Sequence, residues 1–253
     1  MPGVMLRPRS LSAALAIAAT LALAATPRPL QAGPASANQL QALEAALNSG
    51  NDIAPLLQAA PGFDPILLEL RRRTLARQFP DARWQLRPGT PLRDGRPTVL
   101  VTVTGSRTDG PSAYRLEASQ LVTLESSGSR INGQTVLRDQ SILRSGDNLP
   151  VKVQIPDAVL TGQRYDVDVV LEQPLDGAVA AGGIVALTPQ QVAGLESPEL
   201  QLGALGGGGL FKTVQAPLSP GSQTWAVLLV HPAGIVSATK RVRVVSDKSQ
   251  LSL

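Results

Sequence analysis

Apolar residues follow a helical spacing in the first part of the chain beyond its leader. Ser36 and Gln39 form a capping-box pattern at the start of a first predicted helix, whose apolar positions are Leu40, Leu43 and Leu47. A second helix is predicted from Asp64 to Phe79, because the aspartate can cap it and the following proline suits its first turn. Two helices are therefore expected before the first strands.

From Trp84 onward apolar and polar residues alternate, which is the period of a β-strand. The pattern predicts strands at 97–105, 112–125 and 130–144, so an antiparallel meander follows the helices. Asn132-Gly133 inside the last of these strands indicates either a bulge or a second hairpin turn.

The second half of the chain predicts strands almost alone, and Gly, Asp, Asn and Pro cluster just before it at 145–150. We therefore expect an α+β domain at 38–146, helices first and then an antiparallel meander that can close into a cone. An all-β immunoglobulin-like sandwich at 150–246 and a tail at 247–253 would follow it.

Residues 1–37 have the pattern of a signal peptide and leader. Two arginines, Arg7 and Arg9, precede an uncharged run of 15 residues at 11–25, whereas a bilayer-spanning helix needs about 20 residues. Cleavage is expected after Ala24, Ala32 or Ala37, so that the mature chain begins between residues 25 and 38, with an uncleaved anchor as the alternative. The predicted location is periplasmic or secreted, with no integral membrane span once the signal is removed.

The formal net charge of +4 comes mostly from that leader. It holds three of the 23 basic residues and none of the 19 acidic ones, so 20 bases face 19 acids in the remainder. A nucleic-acid-binding protein needs a concentrated basic patch and stacking aromatics, and neither is strong here. With no cysteine and one histidine, His231, we expect no disulfide, no metal site and no cofactor.

Two resemblances accompany this organisation. The helix from Asp64 to Phe79 with the three strands after it resembles the nuclear transport factor 2-like superfamily over residues 64–144, which implies a cone-shaped fold. Enzymes of that superfamily place Asp, His or Tyr in the cone; this region has no histidine, although Asp139 or Arg138 can point inward, depending on the register. The second half, with Gly162 to Val170 as typical strand texture, is similar to bacterial immunoglobulin-like modules.

No residue pattern predicts catalysis. Ser237 and Lys240 match the S-x-x-K pattern of serine acyl-enzymes, but that motif requires a helix, and an offset of three in a strand places the side chains on opposite faces. The candidate ligand-binding residues are the aromatic and basic side chains Trp84, Tyr114, Phe211 and Lys212. Trp84 is expected to line a cavity between helix and sheet or to pack in the core, and the last two residues follow the Gly206–Gly209 loop.

The sequence favours an exported, non-enzymatic binding or accessory protein of the cell envelope, whose partner is an envelope protein or a small ligand. One alternative is a ligand carrier or enzyme that uses a cavity in the 38–146 region. The other is an envelope assembly or adhesion factor that acts through the edges of the sandwich.

Overall fold

The computed structural model describes residues 32–146, 149–172, 178–205 and 208–251. The predicted signal run and parts of the 145–150 and 206–209 segments lie outside these residues. In chain order the elements are β1 (Gly33–Pro34), α1 (Ala37–Ser49), α2 (Pro65–Gln78), β2 (Arg83–Pro88), β3 (Val99–Asp109), β4 (Ser112–Ser127), β5 (Arg130–Gly146), β6 (Val151–Gln154), β7 (Ala158–Leu160), β8 (Arg164–Leu171), β9 (Ala181–Leu187), α3 (Pro189–Gly194), β10 (Gly203–Ala204), β11 (Gly209–Gln215), β12 (Gly221–His231) and β13 (Gly234–Val245), with short 3₁₀ turns at Ala54–Leu56 and Lys248–Gln250.

The two predicted helices are confirmed, and their ends follow from local chemistry. The Ser36 hydroxyl accepts from the Gln39 backbone N–H while the Gln39 side chain accepts from the Ser36 N–H, which completes the capping box of α1. Gly50, at φ +75°, ends α1 in the left-handed conformation that glycine adopts without strain. Asp64 caps α2 by accepting from the Ile66 N–H at 2.9 Å.

Strands dominate the molecule, with 52% of the described residues in strands and 18% in helices. Ten of the strands belong to one sheet, here called the lower sheet, whose main order is β10-β9-β12-β13-β5-β4-β3-β2, with β1 paired to β4 and β7 to β13. The other three strands form the upper sheet, in the order β11-β8-β6.

The predicted fold class, an α+β domain followed by a separate immunoglobulin-like sandwich, is wrong. The lower sheet runs through both halves of the chain, because the 17 residues of β5 pair with β4 on one edge and with β13 on the other. The turn-rich segment after β5 therefore ends a strand but does not end the sheet. The division into units at 38–146 and 150–246 stays a prediction.

The upper sheet packs over one half of the lower sheet. Val169 and Leu171 of β8 belong to one apolar cluster with Val227 of β12 and Val236 of β13. A second cluster along the same interface contains Trp225, which is 3% exposed. We call this side of the lower sheet its upper face.

The opposite side of the lower sheet is its helix face, where α1 and the segment after it form a third apolar cluster with β2 to β5. The helical side supplies Leu43, Leu47, Ile53, Leu57 and Phe63, and the sheet supplies Leu86, Val99, Val122, Leu124 and Ile131. The helices thus cover β2 to β5 from below, and the upper sheet covers β9, β12 and β13 from above.

Candidate functional site

The upper face of β2 to β5 carries a group of arginines beside the upper sheet. Residues paired across antiparallel strands share a face of the sheet. The register of β2 to β5 therefore places the side chains of this upper face in four rows. The rows are Arg87, Leu100, Leu121 and Arg138; Gln85, Thr102, Ser119 and Gln140; Arg83, Thr104, Glu117 and Ile142; and Ser106, Arg115 and Arg144. We call these four rows the basic face.

A hollow of about 380 Å³ lies in the middle of the basic face. Its side chains are three hydroxyls, one amide, one carboxylate and one aliphatic group, contributed by Thr102, Thr104, Ser119, Gln140, Glu117 and Ile142. The five arginines therefore surround a polar hollow that is open to solvent.

Arg115 and Arg144 are direct cross-strand partners. Like charges directly opposite each other destabilise a sheet. Glu117 offsets this in part, because its carboxylate accepts from Arg144 at 3.5 Å. Among the described residues, Arg83, Arg87 and Arg115 have no carboxylate within 4.0 Å of their guanidinium nitrogens.

An ion-pair cluster around the buried Lys240 joins the basic face to the upper layer. Asp157, in the loop after β6, accepts from Arg138 at 2.7 Å and from Lys240 of β13, which is 5% exposed. Burial alone would raise the pKa of Asp157, but the hydrogen bonds and positive charges of Lys240 and Arg138 outweigh it and lower that pKa. Arg138 is thus held in place, whereas three other arginines of the face remain available to a ligand.

Such an arrangement can bind an anion with several acceptor oxygens. Guanidinium groups donate planar pairs of hydrogen bonds to carboxylate, sulfate and phosphate groups. The arginines lie on β2, β4 and β5, and the distance from β2 to β5 is about 14 Å at the usual strand spacing. The basic face therefore suits an extended anionic chain better than a single ion.

A second polar cluster lies on the helix face beneath α2. Asp139 is the cross-strand partner of both Gln120 and Arg241. Burial raises the pKa of Asp139, partly opposed by a hydrogen bond from Gln120 and by the positive charge of Arg71 in α2. Burial likewise lowers the pKa of Arg241. Among the described residues, Asp139 and Arg241 are cross-strand neighbours that attract each other electrostatically without a salt bridge within 4.0 Å, and the buried Nε of Arg241 has no hydrogen-bond partner.

A bulge decides which of Arg138 and Asp139 points toward the helices. The β4–β5 register shifts between Leu121 and Val122, where Leu137 is the extra residue. Arg138 therefore lies on the upper face and Asp139 on the helix face. A second register shift skips Asn132, so of the two alternatives predicted there, a bulge or a hairpin turn, the structure shows the bulge.

Trp84 and Tyr114, two of the predicted ligand-binding residues, lie on the helix face. Trp84 packs against the α1 cluster. Tyr114 lies near the start of β4, and its ring centroid is 5.2 Å from the guanidinium carbon of Arg107. The same carbon lies 5.4 Å from the ring centroid of Phe79. Neither side chain belongs to the basic face.

Phe211 and Lys212 lie on β11 of the upper sheet, away from the first pair. Phe211 points outward and is 64% exposed. Lys212 places its ammonium 5.5 Å from the ring centroid of Trp225, on the inner side of an edge strand. The structure therefore does not bring the four predicted residues together, and their ligand-binding role stays a prediction.

Ser237 and Lys240 lie on opposite faces of β13, as predicted, since they pair with Leu228 and Trp225, which also point to opposite sides. His231 ends β12, and its Nδ1 accepts from the Ala233 N–H at 3.1 Å. Within the described ranges, no three side chains of the His, Cys, Asp and Glu types group closely enough to hold a metal ion. None of the helices in those ranges has the length and apolar character needed to cross a membrane.

The basic face was not predicted from the sequence. Its arginines come from three strands, and the shared parity of Arg83 with Arg87 and of Arg138 with Arg144 was the available signal. Parity shows only which arginines of one strand share a face, so the surface that they form together can be recognised only when the cross-strand register is known. The overall charge balance gives no indication of a local excess of arginine.

Residues 146–245 match a family model described as a domain of unknown function (DUF8623). The matched stretch includes β6 to β13, and so both Asp157 and Lys240, but the arginines of the basic face lie before it. No curated protein shows a significant match to the chain.

Proposed function

We propose that this is an exported, non-enzymatic binding or accessory protein of the cell envelope, and that it binds an anionic partner or ligand on its basic face. The observation that carries the proposal is the direct opposition of Arg115 and Arg144. Two cationic side chains on directly opposite residues of neighbouring strands repel each other in the free protein. An anion bound between them would replace that repulsion with two attractions.

The surroundings of this pair support the same interpretation. Arg83 and Arg87 extend the positive surface to the end strand of the lower sheet. The hollow among the arginines of the basic face offers hydroxyl and amide groups for uncharged parts of a ligand. Such binding would weaken as salt rises, because exposed charges are screened over about 10 Å at 0.1 M ionic strength.

The test is the affinity for a sulfated oligosaccharide at low salt, measured by calorimetry. We expect the double variant R115A/R144A to lose at least about tenfold in affinity, since charge-assisted hydrogen bonds contribute roughly 1.5–3 kcal/mol each. The matched control is R77A/R130A, which removes two exposed arginines that are not among the four rows of the basic face. Equal losses in both variants, or no binding by the wild-type protein, would contradict the proposal.

Export is supported by the basic start and short apolar run of residues 1–25. N-terminal sequencing of the protein from its own cells is expected to find a first residue between 25 and 38, in a soluble fraction. An intact Met1 in washed membranes would contradict export with cleavage.

A further inference from the structure

The upper sheet ends before the lower sheet does. β6 is its last strand, and the side chain of Val153 packs into the same cluster as Ile142 of β5. Beyond β5 the lower sheet continues for three more strands, whose upper side is the basic face. A strand added beside β6 would therefore extend the upper layer over the arginines.

The free edge of β6 has its hydrogen-bonding groups in place. Pro150 accepts from the Glu172 N–H at 2.9 Å, across the β6–β8 ladder. Because backbone groups of an antiparallel strand point alternately to its two sides, Lys152 and Gln154 pair with β8, whereas Val151 and Val153 direct their N–H and C=O groups outward. Within the part of the chain that the structure describes, nothing bonds to these outward groups.

The surface beneath an added strand determines which side chains that strand would need. Neighbouring strands lie about 4.8 Å apart and packed sheets about 10 Å apart, so the added strand would run above β5 and β4. Every second side chain would point down to Arg138, Arg144 and Arg115, with Gln140 and Ser119 between them. Acidic side chains at alternating positions complement that surface, and apolar ones do not.

We propose that β6 accepts an extended acidic segment of a partner protein as a fourth strand of the upper sheet. This rests on the proposed function, because the same arginines supply the charge complementarity. Lys152, exposed on β6, adds a positive charge at the edge. A second copy of β6 fits less well, since it would set Lys152 near its own equivalent and bring valine or lysine over the arginines.

The test compares three probes on the full chain by calorimetry: a ten-residue peptide of alternating Glu and Thr, the same peptide N-methylated at alternate residues on the edge that would pair, and a sulfated oligosaccharide. Strand addition needs the peptide N–H groups, whereas arginine binding alone does not. We expect N-methylation to weaken peptide binding at least about tenfold, and the oligosaccharide to compete with the unmodified peptide.

A variant of β6 provides an independent arm. Val153→Pro removes an outward N–H, and Val153→Ala is its matched control because it trims the side chain and keeps that N–H. We expect V153P to lose peptide binding and keep oligosaccharide binding, and V153A to keep both. Equal binding of the two peptides would overturn strand addition while the oligosaccharide still tests the proposed function. Strand addition by an acidic partner would also be overturned if the protein forms a dimer that V153P abolishes and that the acidic peptide does not disrupt. That result would favour a second copy of the chain as the occupant.

Discussion

Asn48 of α1 binds both backbone groups of Trp84 in β2. Its side-chain carbonyl accepts from the Trp84 N–H at 2.9 Å, and its side-chain amide donates to the Trp84 carbonyl at 2.8 Å. Glu44, one turn earlier, accepts from the Leu86 N–H at 2.6 Å. β2 is an end strand, so α1 occupies backbone groups with which another chain could pair. α1 thus blocks this edge, whereas no residue that the structure describes pairs with the outer edge of β6.

Replacing Asn48 with alanine is expected to lower the free energy of unfolding by about 1–3 kcal/mol, because it leaves a backbone donor and acceptor without partners. Urea denaturation followed by circular dichroism measures the loss, and light scattering is expected to show more self-association through β2. The control is Asn51→Ala, an exposed position whose change is expected to stay within about 0.5 kcal/mol. Equal stability of the two variants would contradict edge capping by Asn48.

Asp157→Asn is expected to cost about 3–5 kcal/mol at neutral pH, because it leaves Lys240 buried without its charged partner. The double variant D157L/K240M is expected to recover most of this loss, since an apolar replacement of a buried ion pair is often nearly neutral. Chemical denaturation of both variants measures the difference. A double variant that is no more stable than D157N would contradict the ion-pair explanation.

The same carboxylate predicts a pH dependence of stability. Its folded pKa lies below its ordinary value of 3.8, so between those two values the unfolded chain binds more protons than the folded one. The stability that Asp157 contributes is therefore complete above pH 3.8 and is lost as the pH falls through the folded pKa. D157N is expected to flatten the acid limb of a plot of unfolding free energy against pH. An unchanged slope would mean that other carboxylates account for the acid limb.

Trp225→Ala is expected to cost about 3–5 kcal/mol, as large-to-small aromatic changes in cores do. The side chain is 3% exposed, and its Nε1–H donates to the Tyr165 hydroxyl at 2.9 Å. Phe211→Ala is the contrasting aromatic variant, because Phe211 is 64% exposed and is expected to change stability by less than about 0.5 kcal/mol. Thermal unfolding that ranks the two variants the other way would contradict these assignments.

Local features were predictable from the sequence because they depend on neighbouring residues. The capping box at Ser36, the Asp64 cap and the bulge at Asn132 involve contacts within a few positions, and each is present. The opposite orientations of Ser237 and Lys240 follow from strand alternation alone.

Long-range pairing was not predictable by the same reasoning. The turn residues at 145–150 indicate correctly that a strand ends, but they carry no information about which strand β13 joins. The 17 residues of β5 allow it to pair on both edges, and that pairing carries one sheet through both halves of the chain. The basic face depends on the same registers, so it was missed together with the fold class.

Nuclear magnetic resonance of the arginine Nε–Hε groups tests the central proposal, anion binding by the basic face, most directly. On titration with a sulfated oligosaccharide at low salt, we predict saturable shifts at Arg83, Arg87, Arg115 and Arg144, and no shifts at Arg77 and Arg130, which are not among the four rows of the basic face. Shifts confined to Arg77 and Arg130, or the absence of shifts at Arg115 and Arg144, would contradict the proposal.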